Sequence, residues 1–262
     1  MNHLEKARQW LRDPGVEIGA FKTPIPGIKP VYVDKFAEFA HEKCLADYHG
    51  EATALPFRDN SLNYVTSSHV LEHVGNPVLA LEEWCRVLRP GGIIYVVVPD
   101  KRYTWDRHRV TTPVAHLLED YERKTTAADD THVDDFVDNV DWTTFSPSTP
   151  PELVPTKKAE AKAGYHNAAR QGIEINIHFH VFEPPSVVEL VSVLKQRHPQ
   201  RFNWELVDQA ERFPDDNPIG FLAVIKVHKT WRDAAAAWLN ERRYRKDPKA
   251  ILSEDARTFA AR

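Results

Sequence analysis

Cysteine is scarce in this chain: of 262 residues, only Cys44 and Cys85 carry a thiol. Two thiols exclude a disulfide framework and a cysteine-built zinc site. No run of about 18 apolar residues occurs, so no membrane-spanning helix is predicted. The opening, MNHLEKARQWLRDPG, has the spacing of a polar helix rather than the apolar core of a secretory signal, and a cytoplasmic location is expected. Basic charge is not in excess: 34 Lys and Arg stand against 38 Asp and Glu. That balance argues against a nucleic-acid partner. One basic cluster, Arg242, Arg243, Arg245 and Lys246, reads as a solvated helix face. Glycine is also sparse, at ten residues, and its scarcity matters most near position 19.

What is present is an alternation of short apolar runs. Residues 2–12 have helical spacing, 16–19 and 31–34 read as short strands, and the proline-rich stretch 22–30 is a loop. Residues 38–47 are compatible with a helix. A buried strand is expected at 62–67, a helix at 77–88 and a fully buried strand at 93–98. The helix rests on Val78, Leu81, Trp84 and Leu88, with proline in its first turn and Gly91 and Gly92 to stop it. Strands alternating with helices predict an α/β fold with a parallel, doubly wound sheet. Residues 101–173 break this rhythm. Pieces such as AADDTHVDDFVDNVDW and FSPSTPPELVP read as a partly mobile inserted cap. Regular structure resumes at 173–182, with a helix at 184–197 and strands at 202–207 and 219–227, an antiparallel pair at one sheet edge. Residues 230–262 form a helical tail broken at Pro248.

The segment 51–100 contains LPF, NSLNYV, HVLEHV and RVLRPGG in that order. Together these resemble the type 11 group of class I S-adenosylmethionine (SAM) methyltransferases. The likeness is good over 16–100 and weak over the final two strands. It implies a Rossmann-like class I methyltransferase sheet with an inserted cap and a helical C-terminal tail. A SAM-binding domain would span 1–100 and 174–229, the acceptor-binding cap 101–173 and the tail 230–262. SAM is the implied cofactor. Asp34 ends the second strand, where a carboxylate can accept both ribose hydroxyls; a turn or helix-capping aspartate is the plainer alternative. The resemblance places Glu51 and Ala52 at the adenine, and Ser68 and His69 at the methionine end. It gives His73 a local structural role rather than metal binding with His69. Glu17 and Gly19 fall in the first loop, where related chains carry several glycines and this one has only Gly19.

The acceptor side would begin at Asp100, with Trp105, Asp106 and Arg109 following. O-methylation needs the acceptor hydroxyl deprotonated, by a histidine near neutral pH or by a divalent ion. Glu174, Asn176, His178 and His180 alternate with Ile175, Ile177, Phe179 and Val181, so a strand here would gather the polar four on one face. A merely wet amphipathic strand is the alternative. His116 and Asp120 share one side of a helix at 113–123, and His132, Asp134, Asp135, Asp138 and Asp141 follow. His178 or His180 is expected as the base, beside Asp100 and His116. Asp100, His178 and His180 are the candidate ligands for a divalent metal, magnesium being the best suited. Tyr103, Trp105, Trp142, Phe145 and Tyr165 interleave with these acids, as suits a sugar acceptor. The PDKRYTWDRHR and HLLEDY stretches resemble methyltransferases of polysaccharide assembly, a group including enzymes that O-methylate the reducing-end mannose of methylmannose polysaccharides. A sugar or oligosaccharide is therefore the expected partner. The rivals are a phenolic or polyketide acceptor, and a non-catalytic SAM-binding scaffold. The tail, with Trp231, Trp238, Leu239 and Tyr244, suits a homodimer contact.

Overall fold

In a computed structural model, residues 2–39, 41–127 and 129–259 are described. The chain opens with α1 (His3–Trp10), where Asn2 accepts from the Glu5 amide and Glu5 reaches back to the Asn2 amide. β1 (Gly15–Ile18) and β2 (Val31–Asp34) follow. β3 (Glu38–Phe39) and β4 (Glu42–Lys43) then pair antiparallel, where the sequence was compatible with a helix over 38–47. The reason is aromatic: the Phe39 ring sits 5.8 Å from that of Phe21 and 6.0 Å from that of Phe36, a grouping that a helix would disperse.

β5 (Tyr48–His49), β6 (Leu62–Ser68), α2 (Pro77–Val87) and β7 (Leu88–Pro99) complete the first half. Asn76 caps α2 by accepting from the Leu79 amide, with Pro77 in the first turn. Val78, Leu81 and Trp84 are buried, and the Trp84 indole donates to the Ala52 carbonyl at 2.9 Å. The helix ends at Val87, before the glycine pair, because Leu88 already pairs with Leu62 in the sheet. Gly91 and Gly92 therefore lie inside the long strand rather than ending the helix.

The cap contains α3 (Val114–Arg123), α4 (Asp130–Asn139), α5 (Trp142–Phe145) and α6 (Val154–Arg170). The aspartate-rich stretch expected as a mobile loop is thus largely helical. Its acids are helix furniture: Asp129 accepts from the Thr131 and His132 amides, and Asp141 from the Thr143 amide. On the inner side of α4, Val133, Phe136 and Val137 are buried.

α7 (Pro184–Arg197) leads to β8 (Trp204–Phe213) and β9 (Gly220–Val227), and the tail holds α8 (Trp231–Tyr244), a 3-10 turn at Pro248–Ile251, and α9 (Glu254–Phe259). The main sheet has the order β5-β2-β1-β6-β7-β9-β8. β1 pairs parallel with β2 and β6, β2 with β5, and β6 with β7, while β9 runs antiparallel to both β7 and β8. This is the doubly wound, Rossmann-like α/β architecture that the alternation predicts. The chain moves outward from β1 and returns to β6 on its other side, so a crevice opens between their carboxyl ends.

One expected strand does not form. Residues 174–182 join no ladder and make a single bridge, Asp100 to Phe182, with bends at 177 and 180. Ile175, Ile177 and Phe179 pack instead with Val133, Phe136, Val137 and Trp142 of the cap. The alternation also stops, since His178 to Phe182 are all buried. In the tail, Ile251 and Leu252 are buried in the main core, and Tyr244 packs against it. Trp231, Trp238 and Leu239 stay exposed. Among the described residues no helix is long and apolar enough to cross a membrane.

Candidate functional site

A cavity of about 390 Å³ lies at the carboxyl ends of β1, β2 and β6. Gly19 lines it just beyond β1, with φ of +67°, and a Cβ there would stand 2.5 Å from Val70 Cγ2. The close approach explains why one glycine survives in a loop otherwise short of them. Asp34 lines the cavity from the end of β2, buried, with Oδ1 accepting from the Phe36 amide at 2.9 Å. Glu51, Ala52 and His69 also line it, together with Phe21, Phe36 and Phe39. His69 has φ of +56°, a left-handed backbone rarely adopted without glycine and found disproportionately at functional sites.

Glu17 and Ser68, expected beside the cofactor, do not line this cavity. Glu17 is buried within β1, and its Oε1 accepts from the Ile25 amide at 2.9 Å, so it holds the 19–27 loop in place. Burial pushes its carboxyl up to about 7. Ser68 pairs with Val97 within the sheet. The opposite wall comes from residues 125–127 and 172–176 of the cap region. Lys35 ties the two walls, at 3.0 Å from Glu51 and 2.5 Å from Glu174.

Beside the cavity lies a first polar group. His73 lines the cavity, and its Nδ1 is 3.0 Å from the Ile177 carbonyl, which can only accept. Nδ1 therefore carries the proton, and Nε2 the lone pair. Next to it Glu72 is fully buried, with neither carboxyl oxygen hydrogen-bonded. Burial pushes that carboxyl up to about 7. The His178 ring lies edge-on to His73, centroids 4.7 Å apart. His178 Nδ1 is 2.5 Å from Asp106 Oδ2, and Asp106 Oδ1 accepts from Arg109 at 2.8 Å. Arg109 is wholly buried and also donates to the His178 carbonyl and to Asp135. Burial works against the Asp106 charge, but the His178 and Arg109 contacts outweigh it and hold the carboxyl below its ordinary value. Burial, with the charge of His178 adding to it, lowers His69 to about 4 and His73 to about 3.

A second group joins His116, Asp120, His132 and His180. His116 Nε2 is 3.3 Å from His132 Nε2 and 3.4 Å from Asp120 Oδ2. Asp120 Oδ2 is 3.6 Å from His132 Nε2 and 3.9 Å from His180 Nε2. Asp100 joins neither group: its carboxylate accepts from Arg102 Nε at 2.9 Å and Nη2 at 2.6 Å, and from the Arg102 amide.

The expected metal set of Asp100, His178 and His180 is therefore not assembled. The cause is the missing strand: without a regular pleat, His178 turns to Asp106 and His180 to Asp120. Asp100, His116, His178 and His180 all lie outside the cavity lining. Reasoning from sequence passed over Glu72, although a glutamate amid the apolar residues of HVLEHV was a visible signal. For Lys35 and residues 125–127 nothing in the sequence pointed to the crevice.

Comparison with known proteins bears mainly on the first half of the chain. Residues 29–96 match the family described as Methyltransferase domain. A demethylmenaquinone methyltransferase of Staphylococcus haemolyticus is 52% identical over 46 residues, 18% of this chain and 19% of that protein. The corresponding Staphylococcus aureus enzyme is 50% identical over 46 residues, with the same coverage. The chain thus spans about a fifth of the curated relatives it matches. Among solved structures, a SAM-dependent methyltransferase of Methanosarcina mazei has a TM-score of 0.46 at 14% identity, covering 88% of this chain and 100% of its own. A possible histamine N-methyltransferase of Thermotoga maritima has a TM-score of 0.43 at 17% identity, covering 87% and 88%.

Proposed function

We propose that this chain is a SAM-dependent O-methyltransferase acting on a hydroxyl of a sugar or oligosaccharide, a mannoside among the candidates. The observation that carries the reading is the cavity at the switch point between β1 and β6, lined by Gly19, Asp34, Glu51 and His69. These residues fit the cofactor's chemistry. Asp34 offers a carboxylate to vicinal ribose hydroxyls. Phe36, Phe39 and Ala52 offer apolar surface to a purine, and the left-handed turn at His69 brings backbone close to the methionine end. SAM when bound supplies a methyl carbon made electrophilic by its sulfonium.

The chain's own part is to hold the acceptor in line and take its proton. With SAM bound, the acceptor oxygen would take the methyl group and the sulfonium would be left as a neutral thioether. The hydroxyl proton would pass to His73, which lines the cavity, with His178 behind it held by Asp106. Holding both reactants in one crevice supplies much of the acceleration. Asp100, His178 and His180 do not come together as one metal set, whereas donor atoms of Glu72, His73 and His178 lie within 4.8 Å of one another beside the cavity. Asn76, Thr125, Thr126, Glu174 and Asn176 give the cavity a hydroxyl-binding rim, which favours a sugar. A second reading is an aromatic acceptor, favoured by Phe21 at the cavity and by the short match to demethylmenaquinone methyltransferases.

A screen with radiolabelled SAM, setting oligosaccharides against phenols and quinols, tests this. Label in oligosaccharides is expected, and label only in aromatic acceptors overturns the sugar assignment. Calorimetric titration with SAM and with its demethylated product tests the shared premise. If neither binds at millimolar concentration, the methyltransferase reading fails.

A further inference from the structure

The group at His116, Asp120, His132 and His180 is not used by the proton route above, and it lies outside the cavity. We infer that these four side chains form a closed, four-coordinate site for a zinc-like divalent ion, which locks the cap-side wall of the crevice.

The spacing is the first argument. A tetrahedral ion with bonds of about 2.0–2.2 Å holds its ligand atoms about 3.3–3.6 Å apart. The separations of 3.3, 3.4 and 3.6 Å among His116, His132 and Asp120 match those edges. His180 stands further out, at 3.9 Å from Asp120, and would close in on the ion as it binds; all four donor atoms already lie within 4.8 Å of one another.

Burial is the second. Asp120, His132 and His180 are 3%, 2% and 0% exposed. Asp120 Oδ2 and His180 Nε2 nevertheless have no hydrogen-bond partner. Buried polar atoms left unpaired are costly, and several converging on one point mark a place for a ligand. A proton on His132 is the rival occupant. It leaves these same two atoms unpaired, because 3.6 Å is too long for a hydrogen bond. His132 Nδ1 faces Asp129, 2.8 Å from its Oδ1 and 3.4 Å from its amide, so Nε2 is the ring nitrogen turned toward the centre.

Donor chemistry sets the ion. Three imidazoles and one carboxylate suit zinc, whereas magnesium and calcium prefer oxygen. Four protein ligands leave no position for a substrate, so the ion would be structural. Partly exposed His116 is the way in. The ligands come from α3, from α4 and from the 174–182 segment. The link between α3 and α4 includes residues 125–127, which line the crevice, and the Thr125 amide donates to the Asp120 carbonyl.

The test uses the full chain, stripped with a chelator and titrated with cobalt(II). One equivalent is expected to give the intense visible bands of a tetrahedral site, and zinc to displace it and raise the melting temperature. His116→Ala, on a partly exposed helix position, should fold and lose roughly tenfold or more in cobalt affinity. His73→Ala, in the neighbouring group, should keep the bands. Absence of bands together with no zinc-induced stabilisation overturns the proposal. So does their loss in His73→Ala with retention in His116→Ala.

Discussion

The crevice and the buried polar groups beside it are assembled differently. Gly19, Asp34 and His69 each stand at the end of a strand, so the backbone alone places them. Each then acts almost by itself, against a cavity. The polar groups join positions far apart in sequence: His73 meets Ile177 across 104 residues, and His178 meets Asp106 across 72. There Arg109, Asp106 and His178 each depend on another for a partner. A crevice residue should therefore be replaceable at the expense of ligand binding, whereas a wholly buried member of the polar groups should be replaceable only at the expense of the fold.

Arg109 gives this contrast its strongest trial. It is wholly buried and pairs with Asp106 and Asp135 while donating to the His178 carbonyl. Arg109→Met keeps most of the volume and removes the charge, leaving Asp106 buried without its cation. Breaking such a pair costs about 3–5 kcal/mol. Urea denaturation is the measurement, and a loss below about 1 kcal/mol would mean that the polar groups tolerate change as the crevice does.

Glu17 sits between the two regions, in a crevice strand but buried like the polar groups. Its folded carboxyl titrates near 7 against an ordinary 4.5. Below pH 4.5 it is protonated whether folded or not and costs nothing. As pH rises from 4.5 to about 7 the unfolded chain releases this proton and the folded chain keeps it, so stability falls. The loss is on the order of 3 kcal/mol and is complete above pH 7. Glu17→Gln should be no more stable than the parent at pH 4 and more stable at pH 8. Equal stability of the two chains at both pH values would mean that the Glu17 carboxyl is not raised in the fold.

Asp34→Ala should behave as a crevice change. SAM binding is expected to weaken by about 1–3 kcal/mol, the scale of hydrogen bonds to a charged group, with folding stability almost unmoved. Calorimetric titration beside a urea curve separates the two effects. Unchanged SAM affinity would remove Asp34 from the ribose.

The same contrast governs what could be read from sequence. The strands at β1, β2, β6 and β7 and the helix α2 follow from apolar period and turn residues, because each decides its own neighbourhood. The crevice residues came with them. The aspartates of α4 misled, since a capping or surface acid looks like loop until the buried stripe of Val133, Phe136 and Val137 is weighed against it. His178 and His180 were grouped by the two-residue period of a strand. That period holds only where a ladder fixes the pleat, and residues 174–182 have none. The partners these histidines chose, Asp106 and Asp120, are set by tertiary packing, which spacing does not encode.

The smallest effect expected is at Lys35, where the crevice walls meet. Lys35 pairs with Glu51 and Glu174, and all three side chains are at least a third exposed, at 36%, 51% and 42%. Exposed pairs of this kind couple by about 0.2–1 kcal/mol and are screened by salt. Combining Lys35→Ala with Glu174→Ala in a double-mutant cycle should give a coupling in that range, disappearing in high salt. A coupling above about 2 kcal/mol that ignores salt would class the rim with the buried groups. The cap-side wall would then be fastened over the crevice from the Glu51 side as firmly as the polar groups fasten it from beneath, and the difference between the two regions would end at the cavity floor.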